Sequence, residues 1–228
     1  MITLNGIQKV YRSGETDFIA LEIANFTCSK GEMLAIVGES GSGKTTLLRI
    51  LGLLDNFEAG SYQFNQQETA QLSAKEQAKL RNQEIGFVLQ TFGLIEDYTV
   101  KENILLPAKY LPRGERAAKI NHLAEIAEQL NISEQLKKYP RQLSRGQQQR
   151  VAFARALIND ANLILADEPT GNLDSSNSQR VIDLLKQEHQ KGKTVILVTH
   201  DQAIAQQCDR IVGIKDGKIN ENRHFEKE

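Results

Sequence analysis

Short apolar runs punctuate the chain at intervals. Met33 to Val37 (Met-Leu-Ala-Ile-Val), Ile85 to Leu89, Leu163 to Ala166 and Val195 to Val198 are each a few residues long and apolar throughout. That is the pattern of strands buried on both faces. Ile2-Thr3-Leu4 and Phe18 to Phe26 alternate instead and read as short strands. Between these runs the period lengthens. A helix is predicted from about Lys44 to Leu51, and another over Arg113 to Leu130, where Ile120, Leu123, Ala124, Ala127 and Leu130 recur at helical spacing. Asn131 and Ser133 end it and begin the next short helix. A further helix from about Ser175 to Gln190 separates the last two apolar runs. Arg210 to Ile214, Asp216-Gly217 and Lys218-Ile219 read as a closing hairpin. Strands alternating with helices predict an α/β fold around a mainly parallel sheet. From about Thr91 to Asp160 the pattern is almost wholly helical. This predicts one domain over 1–228, with an α/β core from 1–90 and 161–228 and a helical subdomain, 91–160, inserted between two core strands.

Composition narrows the class. The 228 residues are 40% hydrophobic and 25% charged, which suits one sizeable globular core and excludes disordered and fibrous classes. A formal net charge of -1 gives no global field toward nucleic acid or an anionic membrane. Cys28 and Cys208 have no metal or redox spacing and read as reduced thiols of a cytosolic protein. The N-terminus has no basic region followed by an apolar run. The strongest apolar stretch, Leu47 to Leu54, carries Arg49 and falls short of the about 20 residues a spanning helix needs. A cytoplasmic location is therefore expected, with any membrane pore formed by another polypeptide. No internal repeat or low-complexity segment is present, and the charged tail from Glu221 to Glu228 reads as frayed.

Two motifs carry chemistry. Gly38-Glu39-Ser40-Gly41-Ser42-Gly43-Lys44-Thr45 fits G-x-x-x-x-G-K-[ST] in full, after a predicted strand and at the start of a predicted helix. Its glycines let backbone N–H groups turn toward phosphate oxygens, and the helix start adds its positive end. Lys44 is expected to reach the β- and γ-phosphates and the Thr45 hydroxyl to ligate Mg²⁺. The bland alternative is a flexible Gly/Ser turn, which the strand, the helix and the Lys-Thr pair argue against. Leu163-Ile164-Leu165-Ala166-Asp167-Glu168 ends an apolar strand in two carboxylates. Asp167 is expected to hold Mg²⁺. Glu168, on the other side of the strand by alternation, is placed to polarise an attacking water as general base. Alone, such a pair is an ordinary polar strand end; downstream of a phosphate loop it becomes a candidate site.

Leu143-Ser144-Arg145-Gly146-Gln147-Gln148-Gln149-Arg150 closely resembles the LSGGQ signature of ABC ATPases. Ser144 precedes a helical stretch, Gly146 to Leu157, and reads as its N-cap. The other family markers stand in the expected order. Tyr11 matches the aromatic residue that stacks on adenine, and Gln90 the glutamine at the junction with the helical subdomain, which joins Asp167 in organising Mg²⁺. Leu173-Asp174 matches the loop that communicates across the dimer, and His200 the histidine that contacts the γ-phosphate. Taken singly, each has an ordinary structural alternative. The resemblance covers essentially the whole chain and implies a phosphate-loop NTPase core with an N-terminal antiparallel β subdomain. It implies ATP and Mg²⁺ as ligands, with Thr46 beside Thr45 at the phosphates. Ser144, Gly146 and Gln147 would face the ATP of a partner subunit. The implied partners are a second ABC ATPase subunit, as a homodimer, and an integral membrane permease that holds the chain at the inner face of the membrane; nucleic acid is not among them.

Arg145 departs from the usual glycine of the signature. Its side chain either points away from phosphate or adds a charged contact to it or to the partner. Ile85 to Leu94 and Ala166 to Asp174 resemble the lipoprotein-release and macrolide-efflux branch, which implies export or extraction of envelope substrates. The alternative is a cell-division or envelope-signalling ATPase, which shares the second stretch. A third reading, a soluble ABC ATPase acting on ribosomes or DNA, fits poorly with a single phosphate loop, a single signature and a chain that is not basic. Phe92 and Leu94 fall in a predicted loop and suit either permease docking or local packing.

Overall fold

The computed structural model describes residues 1–13, 16–171 and 175–224. The chain forms two compact units, Met1–Lys79 with Lys186–Glu228, and Leu80–Leu185.

In the first unit β1 (Ile2–Ser13) pairs antiparallel with β2 (Thr16–Cys28). Both run well beyond the short stretches that alternation marks, because ladder hydrogen bonds extend a strand through polar residues that carry no periodic signal. Next come β3 (Met33–Val37), a glycine-rich loop and α1 (Lys44–Leu51), as the sequence pattern predicts. Then β4 (Ala59–Phe64) and β5 (Gln67–Glu68) complete an antiparallel sheet of order β2-β1-β4-β5. Its inner face buries Ile2, Leu4, Ile7, Leu21, Ile23 and Phe26. The fully buried Tyr62 donates its hydroxyl to Leu51 O at 2.7 Å, satisfying a carbonyl at the end of α1. Burial drives its phenol pKa far above the ordinary value.

The chain then enters the second unit through α2 (Ala74–Glu84), a polar helix with no buried residue and hence no apolar stripe to mark it in the sequence. There β6 (Ile85–Leu89) and α3 (Val100–Leu105) lead to α4 (Arg113–Gln129). The buried stripe of α4 is Leu123, Ile126 and Ala127, continued by Leu130. Ile120, which the helical spacing assigns to that stripe, is 53% exposed, and Ala124 is also exposed. Asn131 follows in the left-handed conformation, φ 52°, and stops the helix. The unit continues with α5 (Arg145–Leu157) and β7 (Leu163–Asp167), which pairs in parallel with β6.

Helix α6 (Ser175–Gln190) carries the chain back to the first unit. Strand β8 (Thr194–Val198), helix α7 (Gln202–Ala205), and strands β9 (Arg210–Lys215) and β10 (Lys218–His224) follow. In this unit β3 lies between β8 and β9, parallel to both, and β10 is antiparallel to β9. The β9–β10 turn has positive φ at Asp216 (48°) and Gly217 (75°), the Asp-Gly hairpin turn that the dipeptide predicts. The architecture is thus α/β, with an N-terminal antiparallel sheet beside a mixed one. Cys28 and Cys208 are buried thiols, and burial raises the Cys28 pKa. Among the described residues no helix is long and apolar enough to cross a membrane.

Candidate functional site

In the first unit, candidate residues gather at the C-terminal ends of adjacent parallel strands. Strand β3 ends at Val37, and the glycine-rich loop turns from it into α1. Gly43 caps α1 with φ 104° and no side-chain hydrogen bond. A Cβ there would lie 2.7 Å from Leu21 Cδ2 and 2.8 Å from Ala20 O. Glycine is therefore required twice over, by backbone conformation and by the close seat of the loop on β2. Lys44 is buried, and its ammonium donates to Gly38 O at 2.8 Å and Glu39 O at 2.6 Å. The loop thus folds around the cation that it carries. The Ser42 hydroxyl is buried without a hydrogen-bond partner among the described residues. Thr45 is exposed and Thr46 half-buried on the first turn of α1; Glu39, Ser40 and Gly41 are exposed. An uncapped helix start, a held ammonium, an orphaned hydroxyl and a cradle that a Cβ would fill suit the oxygens of a polyphosphate. The Thr45 hydroxyl is a hard oxygen ligand of the kind Mg²⁺ takes.

Strand β8 runs parallel beside β3, with Ile36 opposite Val198. His200 is exposed just past its end, after Thr199, whose N–H donates to Ile36 O at 3.1 Å. Asp201 then caps α7, its carboxylate accepting from Ala203 N at 2.8 Å. The β3 loop and His200 therefore lie past the carboxyl ends of two adjacent strands, the end where open α/β sheets bind ligands. Tyr11 stands on β1 opposite Phe18, and the residue is 38% exposed. Its hydroxyl donates to Asp55 Oδ2 at 2.8 Å.

In the second unit the register of β6 and β7 places Leu89 opposite Asp167. Gln90 and Glu168 are consequently the next residues along two adjacent strands. Glu168 has φ 45°, a left-handed conformation rare for glutamate, and its carbonyl accepts from Gly171 N at 3.1 Å in a tight turn. Backbone strain of this kind concentrates at working sites. A Cβ on Gly171 would lie 3.0 Å from Gln90 Nε2. The glutamine amide thus rests against the turn that follows the two carboxylates.

Ser144 caps α5 in a capping box: its hydroxyl accepts from Gln147 N at 3.3 Å, and Gln147 Oε1 accepts from Ser144 N at 2.9 Å. The N-cap reading of Ser144 is what the helix start requires. Gln147 has a structural task here that its place in a signature motif does not announce. Gly146 is half-buried and Arg145 exposed. The buried Gln149 donates from Nε2 to Pro169 O at 3.1 Å, tying α5 to the turn after Glu168. Arg155, near the end of α5, donates to Phe92 O at 2.7 Å and Gly93 O at 2.6 Å. Phe92 itself is buried, with φ 59°. Of its two readings, local packing is the one observed. Leu173 and Asp174 lie outside the described residues.

The pattern for the ABC transporter family matches residues 21–171. The macrolide export ATP-binding/permease protein MacB of Shewanella sp. is 44% identical over 219 residues, 96% of this chain and 34% of its own length. The probable syringafactin export ATP-binding/permease protein SyfD of Pseudomonas syringae is 43% identical over 98% of this chain and 34% of its own length. The chain therefore spans about a third of these curated relatives. Among solved structures, the dimeric post-hydrolysis state of the ATP-binding cassette MJ0796 bound to ADP and Pi superposes with a TM-score of 0.89, at 38% identity and full coverage of both chains. CbiO1 of Clostridium perfringens, part of the ABC transporter complex cbiONQ, gives 0.82 at 27% identity, covering 98% of this chain and 88% of its own. With a phosphate loop, an acidic strand end and a capped signature helix built as described, the chain belongs to the ABC transporter family, as an ATP-binding cassette.

Proposed function

We propose that the chain hydrolyses ATP in a dimer with a second such chain, to drive a membrane permease in export or in extraction of envelope substrates. The observation that carries this reading is the Lys44 loop, with its buried ammonium, orphaned Ser42 hydroxyl and glycine cradle at the start of α1. Lys44 and the loop N–H groups, with Glu39 to Thr46, hold the triphosphate. Tyr11 stacks on adenine. Thr45 in the first unit, and Asp167 and Gln90 in the second, would supply oxygen ligands for Mg²⁺, which would neutralise charge on the phosphates. Glu168 accepts a proton of the water that attacks the γ-phosphorus while the bond to the β,γ-bridging oxygen breaks and ADP leaves, and His200 donates a hydrogen bond to the γ-phosphate. Ser144, Gly146 and Gln147 serve the ATP of the partner subunit, as does Asp174. Two relatives named for export favour this reading over envelope signalling. The chain works at the cytoplasmic face of the membrane, through the permease.

Two substitutions test the assignment. In calorimetry, Lys44→Ala abolishes tight Mg-ATP binding, because charge-assisted bonds to phosphate are among the strongest available. Glu168→Gln preserves shape and removes basicity; ATP still binds while turnover falls by about 10²–10⁴-fold. Normal binding by the first variant, or near-normal turnover by the second, contradicts the reading.

A further inference from the structure

Tyr11, the base-stacking residue of the proposed function, is built into a polar clamp that neither the phosphate loop nor the signature motif includes. Its hydroxyl donates to Asp55 Oδ2 at 2.8 Å. The other carboxylate oxygen of Asp55 lies 3.0 Å from the ammonium of Lys9. That ammonium stands over the Tyr11 ring, 5.1 Å from its centroid, and 3.5 Å from Glu58. Lys9 is only 7% exposed, so its charge is held in place rather than solvated at the surface. Burial by itself would lower the Lys9 pKa, but the hydrogen bond and charge of Asp55, reinforced by Glu58, hold it above its ordinary value. Burial would raise the Asp55 pKa, yet hydrogen bonds from Lys9 and Tyr11 keep it below the usual range. Lys9, Tyr11 and Asp55 are thus locked as one unit, with a cation over one face of the ring and Tyr11 as a residue still exposed.

The backbone around the clamp is shaped to match. The pairing of β1 with β2 shifts register between Lys9 and Val10, skipping Ala20. Val10 N donates instead to Glu58 Oε2 at 2.7 Å. Ala20 is the residue whose carbonyl abuts Gly43 of the phosphate loop. Asp55 belongs to the segment that leaves α1, the helix that the same loop opens. The ring is therefore tied to the phosphate loop along two routes, one through β2 and one through α1.

We propose that Asp55, with Lys9, is a positioning residue that fixes the Tyr11 ring to receive adenine at a set distance from the phosphate loop. The inference rests on the reading of Tyr11 as the base-stacking residue. An unsupported ring at a strand surface would lose rotamer freedom on binding, and the clamp removes that loss beforehand. The expected signature is a defect that depends on the base and spares the phosphates.

Calorimetry of the whole chain with Mg-ATP and with Mg and inorganic triphosphate separates the two. Tyr11→Ala should raise the Kd for ATP by roughly 5–150-fold, the range of base–aromatic stacking, and leave that for triphosphate unchanged. Tyr11→Phe and Asp55→Ala should each raise the ATP Kd by about 3–10-fold, the worth of one hydrogen bond, again sparing triphosphate. The double variant should bind ATP no more weakly than the weaker single one, because both substitutions remove one contact. If Tyr11→Ala has no selective effect, the base-stacking reading fails and the clamp proposal with it. If Tyr11→Ala is selective but Tyr11→Phe and Asp55→Ala are not, Tyr11 stacks and the clamp is refuted. Equal weakening of both ligands in Asp55→Ala and Tyr11→Phe also refutes it, since that marks general loss of structure. Tyr11→Phe keeps the ring and its packing, so the test survives poor folding of the Asp55 variant.

Discussion

At the scale of single residues, the informative positions are those where a side chain has no room to be otherwise. Gly171 is exposed, yet a Cβ on it would press within 3.0 Å of Gln90 Nε2 and 3.5 Å of Glu168 O. Its φ is not in the left-handed region, so alanine is allowed by the backbone and the penalty falls on the glutamine. Gly171→Ala should therefore displace the Gln90 amide by a few tenths of an ångström while the Lys44 loop is untouched. Steady-state kinetics should show kcat lowered by about 10-fold or more with little change in ATP affinity, since small misplacements of catalytic groups are costly. An unchanged kcat would mean that Gln90 has no part in turnover. The burial of Phe92 illustrates the opposite case, an aromatic residue in a polar loop that packs inward rather than outward.

At the scale of elements, α5 does more than present a signature. Its first turn is closed by the Ser144–Gln147 capping box, its middle is bonded to Pro169 through Gln149, and its last turn reaches the Phe92–Gly93 turn through Arg155. One rigid helix thus links the signature to both the carboxylate turn and the glutamine loop. The Arg155 guanidinium is largely desolvated, which lowers its pKa, and it bridges two carbonyls of residues with positive φ. Arg155→Met should lose both charge-assisted bonds and cost about 2–4 kcal/mol in stability, read as a lower urea midpoint. Arg155→Lys retains charge but replaces the planar fork, whose two nitrogens each hold one carbonyl, with a single ammonium, so it should fold yet turn over more slowly. Wild-type kinetics in the lysine variant would show that the bridge serves stability alone.

At the scale of the whole molecule, each chain holds one phosphate loop and one signature. Under the proposed function, two complete sites require two chains about a two-fold axis. ATP that touches both subunits binds the dimer better than the monomer and shifts the equilibrium toward it. Light scattering should find the isolated chain mostly monomeric, and the Glu168→Gln variant dimeric in saturating Mg-ATP. Ser144→Arg adds bulk and charge at the signature helix start. It should prevent that dimer while ATP binding by the monomer persists. A Glu168→Gln chain that stays monomeric under these conditions would contradict the homodimer and direct attention to a different ATPase chain as partner.

The parts legible in the sequence are those whose chemistry is contiguous. The phosphate loop is a run of backbone conformations that only glycines at fixed spacing permit, so Gly38 to Thr45 announces itself. The same holds for the apolar strand ending in Asp167, with Glu168 next, the Ser144 cap and the Asp216-Gly217 turn. Strand lengths were less legible, because β1 and β2 stabilise each other through ladder bonds that polar residues make as well as apolar ones. The stripe of α4 took Ile126 in place of Ile120 and Ala124, since what packs against a helix decides which side is buried. The supporting residues were not legible at all. Asp55 meets Tyr11 across 44 positions and Arg155 meets Gly93 across 62. No local pattern marks such a pair, because neither residue needs its partner until the chain has folded. Contiguous motifs carry the kind of chemistry; contacts that exist only after folding set which side chains hold it in place.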